Sequence, residues 1–305
     1  MMIVVGQSIL VLLFTCVGYA LVKTKLIDPK NTKILSTLAV YVYLSATVFR
    51  TFATNFTVNY LKEQYLLVLV SAVILIVLIL VMRPLSKLLT KESYKRNVLS
   101  YCMTVPNYGY VGYAMAEGIF GGLMLQNVMM VTIPISMYAY TFGYCMLTRS
   151  KVSFKKLINP VNIAMVAGAI VGLSGFKLSD VTVLNQFLSK AAACMAPTGM
   201  ILVGAVTAEY PVRQLLKRKD VYLVTALRLL AVPLIIGAAL RLLHVDTAII
   251  TPIMLVMAMP TSANAIIFPK LVGEDCHTGA SLALISNILC CATIPLIFWI
   301  FGLMP

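Results

Sequence analysis

The chain is poor in charged residues and in the residue types that carry enzymatic or metal chemistry. Only 11% of its 305 residues are charged, ten are acidic and two are histidine. A water-soluble domain has about 25% charged residues, so this composition excludes a soluble protein. The sequence has no His-rich cluster, and Gly172-Leu173-Ser174-Gly175 lacks the spacing of a G-x-S-x-G nucleophile motif. We therefore predict that the protein is not an enzyme and that it has no metal site and no cofactor.

Apolar residues make up 61% of the chain, and the mean hydropathy is +0.96. A membrane-spanning helix needs about 20 mostly apolar residues. The apolar stretches predict ten spans, at residues 3–22, 34–53, 64–82, 98–120, 122–148, 161–176, 186–208, 221–243, 247–272 and 278–304. The first span starts almost at residue 1 with no basic segment before it, so we expect no cleaved signal peptide. No room is left for a second, soluble domain.

The net charge of +14 is distributed unevenly among the predicted loops. Loops 1, 3, 5, 7 and 9 hold 18 of the Lys and Arg residues, and the other four loops hold three. Because basic residues collect in cytoplasmic loops, the odd-numbered loops are predicted to be cytoplasmic and both termini extracytoplasmic. Membrane topology explains the basic charge, so nucleic acid is not an expected partner, whereas membrane lipids are.

Five spans per half is an odd number, so homologous halves would lie in opposite orientations. Two pairs of segments support homology. Span 4 contains Val-Pro-Asn-Tyr-Gly at 105–109 and span 9 contains Met-Pro-Thr-Ser-Ala-Asn at 259–264, while spans 5 and 10 share Thr-Ile-Pro at 132–134 and 293–295. The sequence therefore predicts two inverted repeats, residues 1–156 (spans 1–5) and 157–305 (spans 6–10).

Pro106 and Pro260 are predicted to break helices 4 and 9, because proline removes a backbone hydrogen bond and polar residues follow it. Backbone freed at membrane depth must be satisfied by a cavity, water or a ligand. The positive N-terminal ends of the resulting half-helices predict an anion site near the midplane. The candidate substrate-binding residues at this site are Asn107, Tyr108, Gly109, Thr261, Ser262 and Asn264.

Three basic residues lie inside predicted spans: Arg50, Lys190 and Arg228. We expect all three to extend their side chains to a membrane interface. Arg50 is also the candidate for a second charge contact if the substrate is a dicarboxylate. No acidic residue lies in the middle of a span, which argues against a cation antiporter.

Four polar residues on spans 5 and 10 recur at the same 161-residue shift: Gln126, Thr132, Asn287 and Thr293. They either brace the broken helices or line a site for a coupling ion. Uniport, proton coupling and sodium coupling all stay open at this point.

Three motifs resemble those of the auxin efflux carrier family, which includes plant auxin exporters and bacterial permeases often labelled malonate or malate transporters. They are Pro-Asn-x-Gly-x-x-Gly at 106–112, Met-Pro-Thr-Ser-Ala-Asn-Ala at 259–265 and Ala-Pro-Thr-Gly-Met at 196–200. The similarity covers essentially the whole chain. Leu44-Ser45-Ala46 stands where the family commonly has Leu-Pro-Ala, so Ser45 joins the candidate substrate contacts.

The resemblance implies an all-α integral membrane protein with the fold of bile-acid symporters and sodium/proton antiporters. In that fold, broken helices 4 and 9 cross inside a transport domain (spans 3–5 and 8–10), which moves against a scaffold (spans 1, 2, 6 and 7). A homodimer joined through the scaffold is also implied. The short loop between spans 5 and 6 is similar to that of prokaryotic members, which implies the bacterial inner (plasma) membrane.

These features predict a secondary transporter that moves a small organic anion, a mono- or dicarboxylate, across the plasma membrane by elevator-type alternating access. The alternative from another class is a membrane-embedded sensor of a metabolite or lipid that does not transport. Such a sensor would need an output module from a partner protein.

Overall fold

The computed structural model describes residues 2–150, 158 and 160–303, and all regular structure in these ranges is helical. Each of the ten predicted spans overlaps one or more helices. The predicted boundary between the repeats, at 156 and 157, lies outside the described residues, as does Pro305.

Among the described residues, six helices are long and apolar enough to cross a membrane. They correspond to spans 2, 3, 5, 7, 8 and 10: Pro29–Asn55, Val58–Leu89, Gly122–Leu147, Thr182–Ala208, Lys219–Leu242 and His277–Ile300. Spans 1 and 6 are the helices Met2–Lys23 and Pro160–Leu173. Span 4 consists of Ser93–Thr104, a π-turn at Tyr108–Gly112 and Tyr113–Phe120. Span 9 consists of Thr247–Met257 and Asn264–Val272. We call the two non-helical segments, residues 105–107 and 258–263, the crossover.

The predicted bounds of span 3, residues 64–82, were wrong. The helix runs over 32 residues, Val58–Leu89. At 1.5 Å per residue it is about 48 Å long, which exceeds the ~30 Å hydrocarbon core. Its polar ends are helical outside the apolar stretch, because charged residues such as Lys62 and Lys87 are compatible with helix once they reach the interface.

The closest helix pairs are span 1 with span 7 and span 2 with span 6. Glycines permit this approach. A Cβ built on Gly204 would overlap the carbonyl oxygen of Thr15, and one on Gly168 would lie 2.5 Å from the carbonyl oxygen of Phe49. In two five-span repeats, span 1 corresponds to span 6 and span 2 corresponds to span 7. The two pairs are therefore equivalent, which is the relation expected of an inverted repeat.

The predicted cytoplasmic loops lie next to one another at one end of the bundle. Three ion pairs of the described chain join loops 3, 5, 7 and 9 or the helix ends beside them: Lys95–Asp220, Arg149–Glu274 and Lys270–Glu209. A fourth pair, Arg218–Asp220, lies within loop 7 and the helix start beside it. These loops therefore share one end of the bundle, and the side of the membrane on which that end lies stays a prediction.

Candidate functional site

The two broken helices meet at the crossover through their backbones. The amide N–H of Asn107 donates to the carbonyl oxygen of Pro260 at 2.9 Å, and that of Ser262 donates to the carbonyl oxygen of Val105 at 3.3 Å. These bonds form an isolated antiparallel bridge. The prolines cannot donate, so the residues that follow them in each span provide the hydrogen bonds. Each broken segment thus provides hydrogen-bond partners for backbone groups that have no helical partner in the other segment.

Three buried amide side chains near these breaks have polar atoms without a hydrogen-bond partner in the described structure. Asn107 is 1% exposed, and neither its Nδ2 nor its Oδ1 has a partner. Asn264 donates through Nδ2 to the hydroxyl of Tyr101 at 3.4 Å, whereas its Oδ1 has no partner. Both amide atoms of Asn287 in span 10 are also unpaired. Buried polar atoms are rarely left unsatisfied, so these amides are suited to hold a ligand.

Buried hydroxyls hold the crossover in place from spans 5 and 10. The Oγ of Ser286 accepts from the backbone N–H of Thr261 at 3.2 Å and lies 2.8 Å from the Oγ1 of that residue. The hydroxyl of Tyr108 donates to the hydroxyl of Tyr140 at 3.0 Å and accepts from Ser136 at 2.9 Å. Sequence reasoning missed Ser136, Tyr140 and Ser286. The only available signal was their place in spans 5 and 10, within nine residues of Thr132 and Asn287.

A small cavity lies between the crossover side of span 4 and spans 2, 5 and 7. Its volume is about 10 Å³, and its lining includes Leu44 and Thr51 of span 2, Tyr108 and Gly109 of span 4, and Met195 of span 7. A cavity of this size holds no more than about one water molecule. In this structure the cavity is therefore too small for a carboxylate, and we call it the shut cavity.

Two of the predicted substrate contacts lie apart from the crossover. The structure places Arg50 in a separate cavity of about 460 Å³, together with Lys177 and Asn185, and the Arg50 Nε is buried without a partner among the described residues. The hydroxyl of Ser45 donates to the carbonyl oxygen of Val40 in its own span, at 3.0 Å.

The four polar residues predicted on spans 5 and 10 occupy different environments. Thr132 is buried, and its hydroxyl lies 2.8 Å from the hydroxyl of Tyr113 in span 4, a contact that braces the second half of the broken helix. Gln126 is exposed. The Oγ1 of Thr293 is buried without a partner in the described chain, as are the amide atoms of Asn287.

Comparison with known families agrees with this arrangement. The family described as membrane transport protein matches residues 3–156 and 146–300. The chain belongs to this auxin efflux carrier family. No curated protein matches it. Membership of the family makes the chain a multi-pass membrane transporter rather than an enzyme. The buried amides beside the crossover, whose polar atoms are partly or wholly without a partner in the described structure, therefore belong to a membrane transporter.

Proposed function

We propose that this family member is a secondary carrier of a small organic anion, a mono- or dicarboxylate, and that the crossover binds it. The observation that carries the proposal is the Asn107 side chain, which is fully buried at a helix break and has no partner for either amide atom in the described structure. The second half-helices of spans 4 and 9 begin there, and helix N-terminal ends favour anions. The substrate-binding residues of the proposal are Asn107, Tyr108, Gly109, Thr261, Ser262 and Asn264.

We propose an elevator-type mechanism in which spans 3–5 and 8–10 move against spans 1, 2, 6 and 7. The packing supports this grouping, because spans 1 and 2 make their closest contacts with spans 7 and 6. The shut cavity lies between Leu44 of span 2 and Tyr108 of span 4, hence between the two proposed groups. Sliding along this boundary would open the cavity to one side of the membrane and then to the other.

A non-transporting sensor would bind its ligand at the same crossover, so binding alone does not separate the two functions. The test is counterflow of labelled malonate, malate, lactate and indole-3-acetate into liposomes that contain the purified protein. A carrier exchanges at least one of these anions across the membrane. A sensor binds without exchange, which would contradict the proposal.

The first prediction concerns the variant Asn107→Ala. Loss of a hydrogen bond to a charged ligand costs about 1.5–3 kcal/mol, so counterflow should fall by at least about tenfold. The unfolding temperature should change little, because no hydrogen bond within the described protein is lost. The matched control is Asn97→Ala, whose amide donates to the carbonyl oxygen of Met146 at 3.3 Å in a different cleft. Wild-type counterflow in Asn107→Ala would move the site away from the crossover.

The proposed location is the bacterial inner membrane, with both termini extracytoplasmic. Lys177→Cys and Lys217→Cys test the orientation, because these residues precede spans 7 and 8 in loops of opposite predicted sidedness. In cells, an impermeant maleimide should label Lys177→Cys from the outside and should label Lys217→Cys only after permeabilisation. The reverse pattern would invert the topology.

We also propose that the carrier forms a homodimer through spans 1, 2, 6 and 7. Exposed apolar side chains of span 6, such as Ile163, Val166 and Ile170, provide a surface that either a second copy or lipid can cover. The particle mass in lipid nanodiscs distinguishes a dimer from a monomer.

A further inference from the structure

Arg228 is the only charged side chain among the described residues that is fully buried. It lies in the π-turn Leu227–Ala231 of span 8, about 13 Å along the helix from Lys219. The expectation that Arg228 reaches a membrane interface was therefore wrong. The protein keeps this guanidinium in its interior, where an unpaired charge is costly.

The guanidinium has few protein partners. Its Nη2 donates to the carbonyl oxygen of Val256 at 3.4 Å, whereas Nε and Nη1 have no hydrogen-bond partner in the part of the chain that the structure describes. None of the Asp and Glu side chains described there is buried. The charge is thus balanced by no carboxylate side chain among the described residues.

Arg228 lies beside the ends of both half-helices that lead into the crossover. Val256 is the penultimate residue of Thr247–Met257, and Cys102, which lies within electrostatic reach of Arg228, is two residues before the end of Ser93–Thr104. Helix C-terminal ends carry partial negative charge. The guanidinium lies beside two such ends, and the candidate anion site lies at the breaks.

We propose that Arg228 is a resident counter-charge that moves with the crossover and takes the place of a coupling cation. This inference rests on the proposed function, because it requires an anion at the crossover and a moving transport domain. With Arg228, the buried interior of the domain carries one positive charge when empty and no net charge when loaded with a monocarboxylate. Transport then requires neither sodium nor a proton gradient.

The first experiment measures lactate and malonate counterflow in liposomes without sodium and without a pH gradient, at 0 and −100 mV set by potassium and valinomycin. For the monocarboxylate, the wild-type rate should change less than twofold with potential. In Arg228→Met, the loaded domain carries one negative charge, so the rate should change several-fold. One charge over 100 mV gives an upper bound of about 50-fold. Arg228→Lys keeps the charge and should behave like the wild type.

The second experiment does not need a substrate. A voltage step applied to the empty protein in a planar bilayer should produce a transient displacement current in the wild type and in Arg228→Lys, and none in Arg228→Met. Because the lysine variant controls for packing, a purely structural role of Arg228 would not produce this pattern. If the variants do not fold, the wild type alone tests the proposal. Its lactate exchange should be independent of the membrane potential, and its malonate exchange should depend on it, because one positive charge neutralises a monocarboxylate but not a dicarboxylate.

Failure of the proposed carrier function and failure of the proposed role of Arg228 would give different results. A wild-type rate that depends on sodium or on a pH gradient, or equal displacement currents in Arg228→Lys and Arg228→Met, would overturn the role of Arg228. Absence of counterflow for every anion, with a displacement current that follows the charge of residue 228, would overturn the proposed substrates and leave the moving counter-charge supported.

Discussion

At the scale of single residues, Ser286 determines how the crossover is held. Its hydroxyl contacts both the backbone N–H and the Oγ1 of Thr261, the residue opposite Pro106 in the antiparallel bridge. Span 10 thus anchors the break in span 9 directly. No comparable anchor was predicted there, because the sequence singled out the neighbouring residue, Asn287.

Ser286→Ala should destabilise the carrier by about 1–3 kcal/mol, since two buried polar groups of Thr261 lose their partner. The measurement is the midpoint of thermal unfolding in detergent. Ser281→Ala is the matched control on the same helix, because the Ser281 hydroxyl donates only to the carbonyl oxygen of His277 one turn earlier. Equal midpoints for the two variants would contradict the anchoring role.

The sequence predicted the residues of the break better than their partners. Pro106 and Pro260 next to polar residues are a local pattern, and the structure places helix breaks at both. Partners such as Tyr101 and Ser286 are 163 and 25 residues away from the groups they contact. Their helices are apolar on most faces, so periodicity does not reveal which polar residue faces the site.

At the scale of elements, π-turns distinguish the spans that surround the candidate site. Four occur in the described chain: Ala39–Leu44, Tyr108–Gly112, Ala139–Gly143 and Leu227–Ala231. The first three contribute Leu44, Tyr108, Gly109 and Tyr140 to the shut cavity. A π-turn has no strong sequence pattern, and it is common at functional sites. The sequence therefore predicted the positions of the helices but not the wider turn of the helix at each π-turn.

Gly204→Ala tests the contact between spans 1 and 7. A Cβ at Gly204 would overlap the carbonyl oxygen of Thr15, and the two helices can relieve this only by moving apart. Overpacking of this kind costs about 1–3 kcal/mol. A lower unfolding temperature is expected. Gly122→Ala is the control, because nothing lies within 4 Å of a Cβ built at that helix start.

At the scale of the whole molecule, composition and charge were sufficient to predict an integral membrane protein and the position of its helical segments. Hydropathy reports only the apolar stretch, however, so it missed the polar ends of Val58–Leu89. It also cannot place helices relative to one another. The packing of span 1 on span 7 depends on Gly18 and Gly204, which are small residues 186 positions apart in the chain.

An ion pair on the predicted cytoplasmic side joins the two proposed groups of spans. The Nζ of Lys270 in span 9 donates to both carboxylate oxygens of Glu209 at the end of span 7, at 2.7 and 2.8 Å, and Thr32 at the start of span 2 donates to the same carboxylate at 3.1 Å. The neighbouring thiol of Cys276 is buried, and burial raises its pKa to about 12, so it is protonated and unreactive at neutral pH. We predict that this ion pair is a latch that holds the two proposed groups of spans together on the predicted cytoplasmic side.

Glu209→Gln should weaken the latch and increase maleimide labelling of Cys276. A partly exposed ion pair contributes up to about 1 kcal/mol, which corresponds to an increase of no more than about fivefold. Peptide mass spectrometry measures Cys276 separately from the other thiols. Asp220→Asn is the matched control. It breaks the pairs of Asp220 with Lys95 and Arg218, and these pairs do not join the two proposed groups of spans. If both variants raise the labelling equally, the effect is local loosening, and Glu209 does not latch one group of spans to the other.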